Sequence, residues 1–125
     1  MERKTVVVVE DETDTMELLS AILTEEGYRV LQARDGKEGI DTVLNEKPDL
    51  VLMDVLLPGV LGAEAIRSLQ GQAGLEKTKI VLMSSLKPGD FDDIFANRPE
   101  ADAYLEKPFN PAHVIRVVES LLAPA

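Results

Sequence analysis

The sequence predicts an α/β fold with one open, doubly wound parallel sheet of five strands and five helices. Runs of strand length alternate with segments of helical period along the chain, which indicates consecutive β/α units. Two of these runs, Val6–Val9 and Leu50–Met53, are apolar throughout, as is typical of parallel strands that helices cover on both faces. The length of 125 residues suits one compact domain, so we expect residues 1–125 to form a single domain.

The predicted strands are short runs rich in β-branched and aliphatic residues. They cover Thr5–Val9, Tyr28–Ala33, Leu50–Asp54, Ile80–Ser84 and Ala103–Leu105. We expect the first and third strands to form the central pair because they carry the fully apolar runs. Ligands of doubly wound sheets bind beyond the carboxyl ends of the strands. The residues that follow each strand are therefore the candidate site residues.

The predicted helices follow the strands in turn. They cover Asp14–Glu25, Lys37–Asn45, Ala63–Gln70, Asp90–Asn97 and Pro111–Leu122. The last has the clearest signal, because its apolar residues recur at helical spacing, Asn110 suits the N-cap and Pro111 suits the first helical position. Asp35 or Gly36 is expected to cap the second helix, and Gly27 to end the first in a left-handed conformation.

The composition narrows the class of function. With 23 acidic and 13 basic residues, the net charge of -10 opposes binding to nucleic acid and to anionic membranes. The chain has no cysteine, which excludes disulfides and thiolate metal sites and suits a reducing compartment. The apolar run Val6–Val9 is too short for a signal peptide or a membrane span. We therefore expect a soluble, cytoplasmic protein with no direct contact to nucleic acid or membrane.

Three acids directly follow apolar strands: Glu10 and Asp11 after the first, and Asp54 at the end of the third. If these strands are neighbours about 4.8 Å apart, the three carboxylates converge. A hard divalent cation would relieve their repulsion, and an all-oxygen site suits Mg²⁺ or Mn²⁺. Taken singly, each acid is equally well explained as a loop or capping residue. Glu12 and Asp14 are interpreted in that way, as solvated acids of the first helical turn.

Two further strand ends carry complementary groups. Ser84 ends the fourth strand, after the run IVLM, and presents a hydroxyl, and Lys107 follows the fifth strand and presents an ammonium. Taken singly, Ser84 is an ordinary turn residue and Lys107 a surface charge. Opposite a cluster of carboxylates and Mg²⁺, however, a hydroxyl and an ammonium suit the oxygens of a phosphoryl group.

Five short motifs stand at these strand ends and span nearly the whole chain. They are EDE at 10–12, LVLMD at 50–54, PG at 58–59, VLMSS at 81–85 and YLEKPF at 104–109. Each is weak alone, but the ordered set resembles the receiver domain of two-component response regulators. The resemblance implies a flavodoxin-like sheet with strand order 2-1-3-4-5.

The resemblance also implies a role for the acids. Asp54 resembles the phosphoacceptor of the family. Glu10 and Asp11 resemble the acid pair that holds Mg²⁺, and the backbone carbonyl of Leu56 resembles a further metal ligand.

The remaining site residues are implied in the same way. Ser84 lies where the family has its switch Thr or Ser, and Tyr104 lies at its aromatic switch position. Lys107 is similar to the family's invariant Lys, and Lys107–Pro108 to its cis Lys-Pro bond.

The implied function is that of a phosphoacceptor signalling module. A sensor histidine kinase, a phosphotransfer protein or a small phosphodonor supplies the phosphoryl group to Asp54. The response reaches a downstream protein target, or an output domain outside this chain, through the face of the fourth helix, fifth strand and last helix. Its only chemistry is its own phosphorylation and dephosphorylation, so we do not expect an enzyme.

Three alternative functions are less well supported by the residues. A pseudo-receiver that binds a partner without phosphorylation usually loses an acid, the hydroxyl or the Lys, and none is lost here. A phosphatase of the haloacid dehalogenase type needs a second Asp two residues after the first, where this chain has Leu56. A nucleotide- or flavin-binding module is disfavoured because no glycine-rich phosphate loop follows the first strand.

Overall fold

The structure is a computed structural model that describes residues 3–55, 62–69, 71–85 and 101–123. Within these residues, five strands form one parallel sheet in the order β2-β1-β3-β4-β5, as the resemblance implies. The strands are β1 (Thr5–Val9), β2 (Arg29–Ala33), β3 (Leu50–Asp54), β4 (Lys79–Ser84) and β5 (Ala103–Glu106). Strands β1 and β3, which carry the two apolar runs, are neighbours inside the sheet, which confirms the predicted central pair.

The described residues also form four helices beside the sheet. They are α1 (Thr13–Glu25), α2 (Gly36–Glu46), α3 (Gly62–Leu69) and α4 (Pro111–Leu122). Their ends agree with the predicted ends to within one residue. The helix predicted over Asp90–Asn97 lies outside the described residues.

The helix ends follow the predicted capping pattern. The Asp35 carboxylate accepts a hydrogen bond from the Glu38 amide at 2.8 Å, so Asp35 is the cap of α2. Asn110 Oδ1 accepts from the Ala112 amide at 3.0 Å at the start of α4. Gly27 has a φ of 96° just after α1, a conformation that glycine adopts without a steric cost. Each cap fixes the direction in which the chain enters or leaves a strand.

The core consists of two apolar layers, one on each face of the sheet. Val7 and Val9 of β1 point to the layer that contains buried residues of α2 and α3. Val6 and Val8 point to the layer that contains buried residues of α1 and α4. Because successive strand residues face opposite sides, a strand buried on both faces must be apolar at every position. This packing explains the unbroken VVVV run.

Gly39 lies where α2 packs closely on β1, which leads to a stability prediction. A Cβ atom at position 39 would lie 2.8 and 2.9 Å from the two methyl carbons of Val9. Gly39→Ala is expected to destabilise the fold by about 1 kcal/mol, because overpacking outweighs the gain in helix propensity. Urea unfolding measures this change.

The double variant Val9→Ala/Gly39→Ala is the control for this contact. Truncation of Val9 removes the clash, so the double variant should lose less stability than the sum of the two single variants. If the Gly39→Ala variant were as stable as the parent protein, this would contradict the close contact between α2 and β1.

Candidate functional site

Three carboxylates meet at the carboxyl edge of the sheet. Glu10 and Asp11 directly follow β1, and Asp54 ends the neighbouring strand β3. One carboxylate oxygen from each of the three residues lies within 4.8 Å of the other two. Glu10 and Asp54 are buried, with 1% and 7% of their surface exposed, and Asp11 is exposed. The structure thus brings together the three acids that the sequence singled out.

Backbone contacts hold Glu10 in the site. Its amide donates to the Ala33 carbonyl oxygen at 3.0 Å, which extends the pairing of β1 with β2 by one residue. Its Oε1 accepts a hydrogen bond from the Glu12 amide at 3.1 Å. The carboxylate is therefore fixed by the turn into α1.

Lys107 bridges the two buried acids. Its Nζ lies 2.8 Å from Glu10 Oε2 and 3.0 Å from Asp54 Oδ2. The Lys107 amide donates to the Ser84 carbonyl oxygen at 2.8 Å, and the Lys107–Pro108 peptide bond is cis, as the resemblance implies. The end of β4 thus holds the backbone from which the ammonium reaches the site.

The contact between Lys107 and Glu10 did not follow from the sequence. The residue pattern predicted Lys107 opposite the acids as a ligand for phosphoryl oxygens, and a divalent cation as the group that relieves their repulsion. The contact could have been predicted from the general rule that buried charges are paired. Two neighbouring buried carboxylates require a nearby cation, and Lys107 is a basic residue at the same ends of the strands.

Burial and ion pairing shift the pKa values of Glu10 and Lys107 in opposite directions. Burial raises the pKa of the Glu10 carboxyl, the Lys107 hydrogen bond lowers it and the charge of Asp54 raises it further, with a net upward shift. Burial alone would lower the pKa of the Lys107 ammonium, but its hydrogen bonds to Glu10 and Asp54 outweigh this effect and raise it. Lys107 is therefore a cation at neutral pH.

The predicted hydroxyl and aromatic residues lie on the adjacent strands. Ser84 ends β4, is buried with 5% of its surface exposed, and pairs with Glu106 in the register of β4 and β5. Tyr104 of β5 is half-buried and packs against the apolar layer beside α2 and α3. Leu56, whose carbonyl the resemblance makes a metal ligand, lies outside the described residues.

The acid cluster fits a hard divalent cation by its chemistry. All three side chains offer carboxylate oxygens, the donors that Mg²⁺ and Mn²⁺ prefer. The exposed Asp11 leaves the cluster open to solvent, which suits a cation that keeps several waters.

Comparison with known proteins identifies the family. A family model described as the response regulator receiver domain matches residues 6–119. The chain belongs to this family. Receiver domains are signalling modules of two-component systems and not classical enzymes. The predicted fold, family and acid cluster therefore agree with one another.

Individual relatives agree with this family assignment. It is 31% identical over 118 residues to Protein PilH of Pseudomonas aeruginosa, covering 94% of this chain and 97% of PilH. It is 36% identical over 119 residues, or 95% of its length, to the alkaline phosphatase synthesis transcriptional regulatory protein PhoP of Bacillus subtilis. The matched region is 48% of PhoP, so the chain spans about half the length of that relative.

A solved structure supports the same assignment. The receiver domain of the sensor histidine kinase PA1611 of Pseudomonas aeruginosa superposes with a TM-score of 0.87 at 25% identity, covering 98% of this chain and 100% of that one. That structure holds a magnesium ion coordinated in its active site cleft. Within the part of this chain that the structure describes, no helix has the length and apolar character needed to cross a membrane.

Proposed function

We propose that this receiver domain accepts a phosphoryl group on Asp54 in a reaction that requires Mg²⁺. The observation that carries the proposal is the convergence of Glu10, Asp11 and Asp54 with the Lys107 ammonium 3.0 Å from Asp54 Oδ2. Glu10, Asp11, Asp54 and the backbone carbonyl of Leu56 would hold the metal, with Mn²⁺ as a substitute. When bound, the metal neutralises carboxylate and phosphoryl oxygen charge.

The proposed transfer is an in-line displacement. An Asp54 carboxylate oxygen attacks the phosphorus atom of the donor, and the bond from phosphorus to the donor's leaving atom breaks with its electron pair. The leaving group takes a proton from solvent. Lys107 exchanges its contact with Asp54 for contacts with the phosphoryl oxygens, whose charge it balances as a point cation. The product is an acyl phosphate, and its hydrolysis returns Asp54.

We propose that Ser84 and Tyr104 report the phosphorylation. The acyl phosphate carries more negative charge than the carboxylate it replaces and offers strong acceptor oxygens. The Ser84 hydroxyl, at the end of the adjacent strand, donates to one of them. Tyr104 then repacks, and the surface of β5, α4 and the helix predicted over Asp90–Asn97 changes.

A groove beside the site offers a binding place for the proposed phosphodonor protein. The donor is a sensor histidine kinase or a phosphotransfer protein, and the target is a downstream protein or an output domain. A groove of about 340 Å³ is lined by Leu18, Lys107 and Phe109, among others, and Leu18 is 45% exposed. Because Lys107 Nζ also contacts Asp54, a phosphodonor protein in this groove would lie next to Asp54. We propose that residues 1–125 form one receiver domain. We also propose that it acts in the cytoplasm.

The second candidate function is a pseudo-receiver that binds partners without phosphorylation. One observation favours it: Lys107 pairs with both Glu10 and Asp54 and so already balances part of the buried charge. Such a module needs neither metal nor phosphodonor.

Intact mass spectrometry separates the two candidates. The protein is incubated with acetyl phosphate in Mg²⁺ or in excess EDTA. A phosphoacceptor gains the mass of one phosphoryl group in Mg²⁺ alone. An unchanged mass in both conditions, with carbamoyl phosphate and phosphoramidate tested as well, would contradict phosphorylation and support the pseudo-receiver.

Mg²⁺ is also expected to stabilise the folded protein. Binding relieves repulsion among the carboxylates of Glu10, Asp11 and Asp54, and the linkage is worth about 2.7 kcal/mol at a hundred times the dissociation constant. Thermal melts with and without Mg²⁺ measure the shift. Asp11→Asn should lose most of it, whereas Asp41→Asn, an exposed acid on α2, should keep it. An equal shift in Asp11→Asn would place the metal elsewhere.

A further inference from the structure

A cavity lies at the amino-terminal ends of strands β3 and β4, whereas the acids lie at the carboxyl ends of the strands. Its volume is about 270 Å³, close to the lower end of the range for small-molecule pockets. Val51 and Ile80 line it from the sheet, and Val43 and Leu69 line it from α2 and α3. Val43, Val51 and Leu69 are fully or almost fully buried, so this part of the cavity is an apolar floor.

The neutral polar side chains at the rim of the cavity donate hydrogen bonds to carbonyl oxygens within the protein. Thr78 Oγ1 donates to the Pro48 carbonyl oxygen at 2.8 Å. Gln72 Nε2 donates to the Ser68 carbonyl oxygen at 3.2 Å. What Thr78 retains is acceptor capacity, and Gln72 retains its carbonyl oxygen and one amide hydrogen.

Two carboxylates complete the rim. Asp102 Oδ2 accepts from the Ile80 amide at 2.7 Å, and Glu76 Oε1 accepts from the Gly74 amide at 3.3 Å. A carboxylate has about four acceptor positions, so both acids keep capacity for a ligand. Backbone N–H groups and, to a smaller extent, the charge of Lys47 lower the pKa of the Glu76 carboxyl. Glu76 is therefore charged at neutral pH, and both rim acids offer carboxylate oxygens to a ligand.

We propose that this cavity binds a small organic cation: a primary ammonium or guanidinium group attached to an alkyl or aryl group. The apolar floor accepts the hydrocarbon part. The ammonium or guanidinium donates to the remaining acceptor positions of Asp102 and Glu76, and its positive charge is attracted by both carboxylates. An anionic ligand of the same shape would be repelled by both carboxylates.

Amide NMR of the whole chain with phenethylamine as the probe tests the site. The neutral 2-phenylethanol has nearly the same shape and serves as the matched ligand. At about 0.15 M salt, which screens diffuse attraction to the acidic surface, phenethylamine should shift the amides of Gly71, Leu75 and Ile80. The alcohol should bind at least about tenfold more weakly, as expected from the loss of one charge-assisted contact.

Charge-neutralising variants locate the contact. Glu76→Gln and Asp102→Asn should each weaken phenethylamine binding, whereas Glu46→Gln, an exposed acid on α2 outside the lining, should not. Because Asp102 also accepts from the Ile80 amide, a lower melting temperature in Asp102→Asn would make the exposed Glu76→Gln the deciding variant. Equal binding of the alcohol, shifts spread over the acidic surface, or unchanged binding in Glu76→Gln would overturn the proposal.

Discussion

Asp54→Asn is expected to abolish phosphoryl incorporation from acetyl phosphate. The amide has nearly the shape of the carboxylate but is not a nucleophile, so the acceptor is lost while the packing is kept. Intact mass after treatment in Mg²⁺ measures the loss. Asp41→Asn is the matched control, because Asp41 is an exposed acid on α2, away from the strand ends. It should label like the parent protein.

The stability of Asp54→Asn distinguishes loss of the acceptor from loss of the fold. Asp54 is buried beside Glu10, so its neutralisation removes a repulsion and leaves Lys107 paired with Glu10. We expect a melting temperature in the absence of Mg²⁺ equal to or above that of the parent protein. Labelling of Asp54→Asn at the parent level would contradict the assignment of the acceptor.

Lys107→Met is expected to have two effects of opposite direction. Removal of the ammonium takes away the cation that balances charge on the phosphoryl oxygens, so transfer should slow by about 100-fold or more. The same ammonium lies 2.8 and 3.0 Å from two of the proposed metal ligands. Its removal should therefore tighten Mg²⁺ binding, by about tenfold. Titration calorimetry and the rate of mass gain measure the two effects separately.

Lys79→Met is the control for a general change of charge, because Lys79 is the first residue of β4 and lies at the end of the strand away from the acids. It should alter neither the transfer rate nor the Mg²⁺ affinity. Weaker Mg²⁺ binding in Lys107→Met would show that Lys107 organises the acids for the metal and does not compete with it. A transfer rate equal to that of the parent protein would remove Lys107 from the proposed mechanism.

The sequence predicted the fold because burial on two faces leaves a distinct pattern. The unbroken apolar runs of β1 and β3 indicated parallel interior strands, and Asn110 and Asp35 marked helix starts through their side-chain oxygens. The strand order did not follow from these patterns. Periodicity gives each strand its faces but not its neighbours, and the order came from the resemblance to the receiver family.

The convergence of the three acids was predictable from the sequence, but the side-chain contacts around them were not. Position after a strand was enough to bring Glu10, Asp11 and Asp54 together, since parallel strands end at one edge. The reach of Lys107 to Glu10 depends on its backbone hydrogen bond to Ser84 and on side-chain conformation, which residue spacing does not encode. The predicted ligand Leu56 lies outside the described residues, and its role stays a prediction.

Chemical trapping of the phosphorylated residue tests the central claim most directly. The protein is treated with acetyl phosphate and Mg²⁺ and then with borohydride, which reduces an acyl phosphate to the alcohol and so converts an aspartyl phosphate to homoserine. Peptide mass spectrometry then locates the conversion. We expect homoserine at position 54 alone, with none formed in EDTA. Conversion at Asp11 or at another acid, or equal conversion in EDTA, would contradict the assignment of Asp54 as the Mg²⁺-dependent phosphoacceptor.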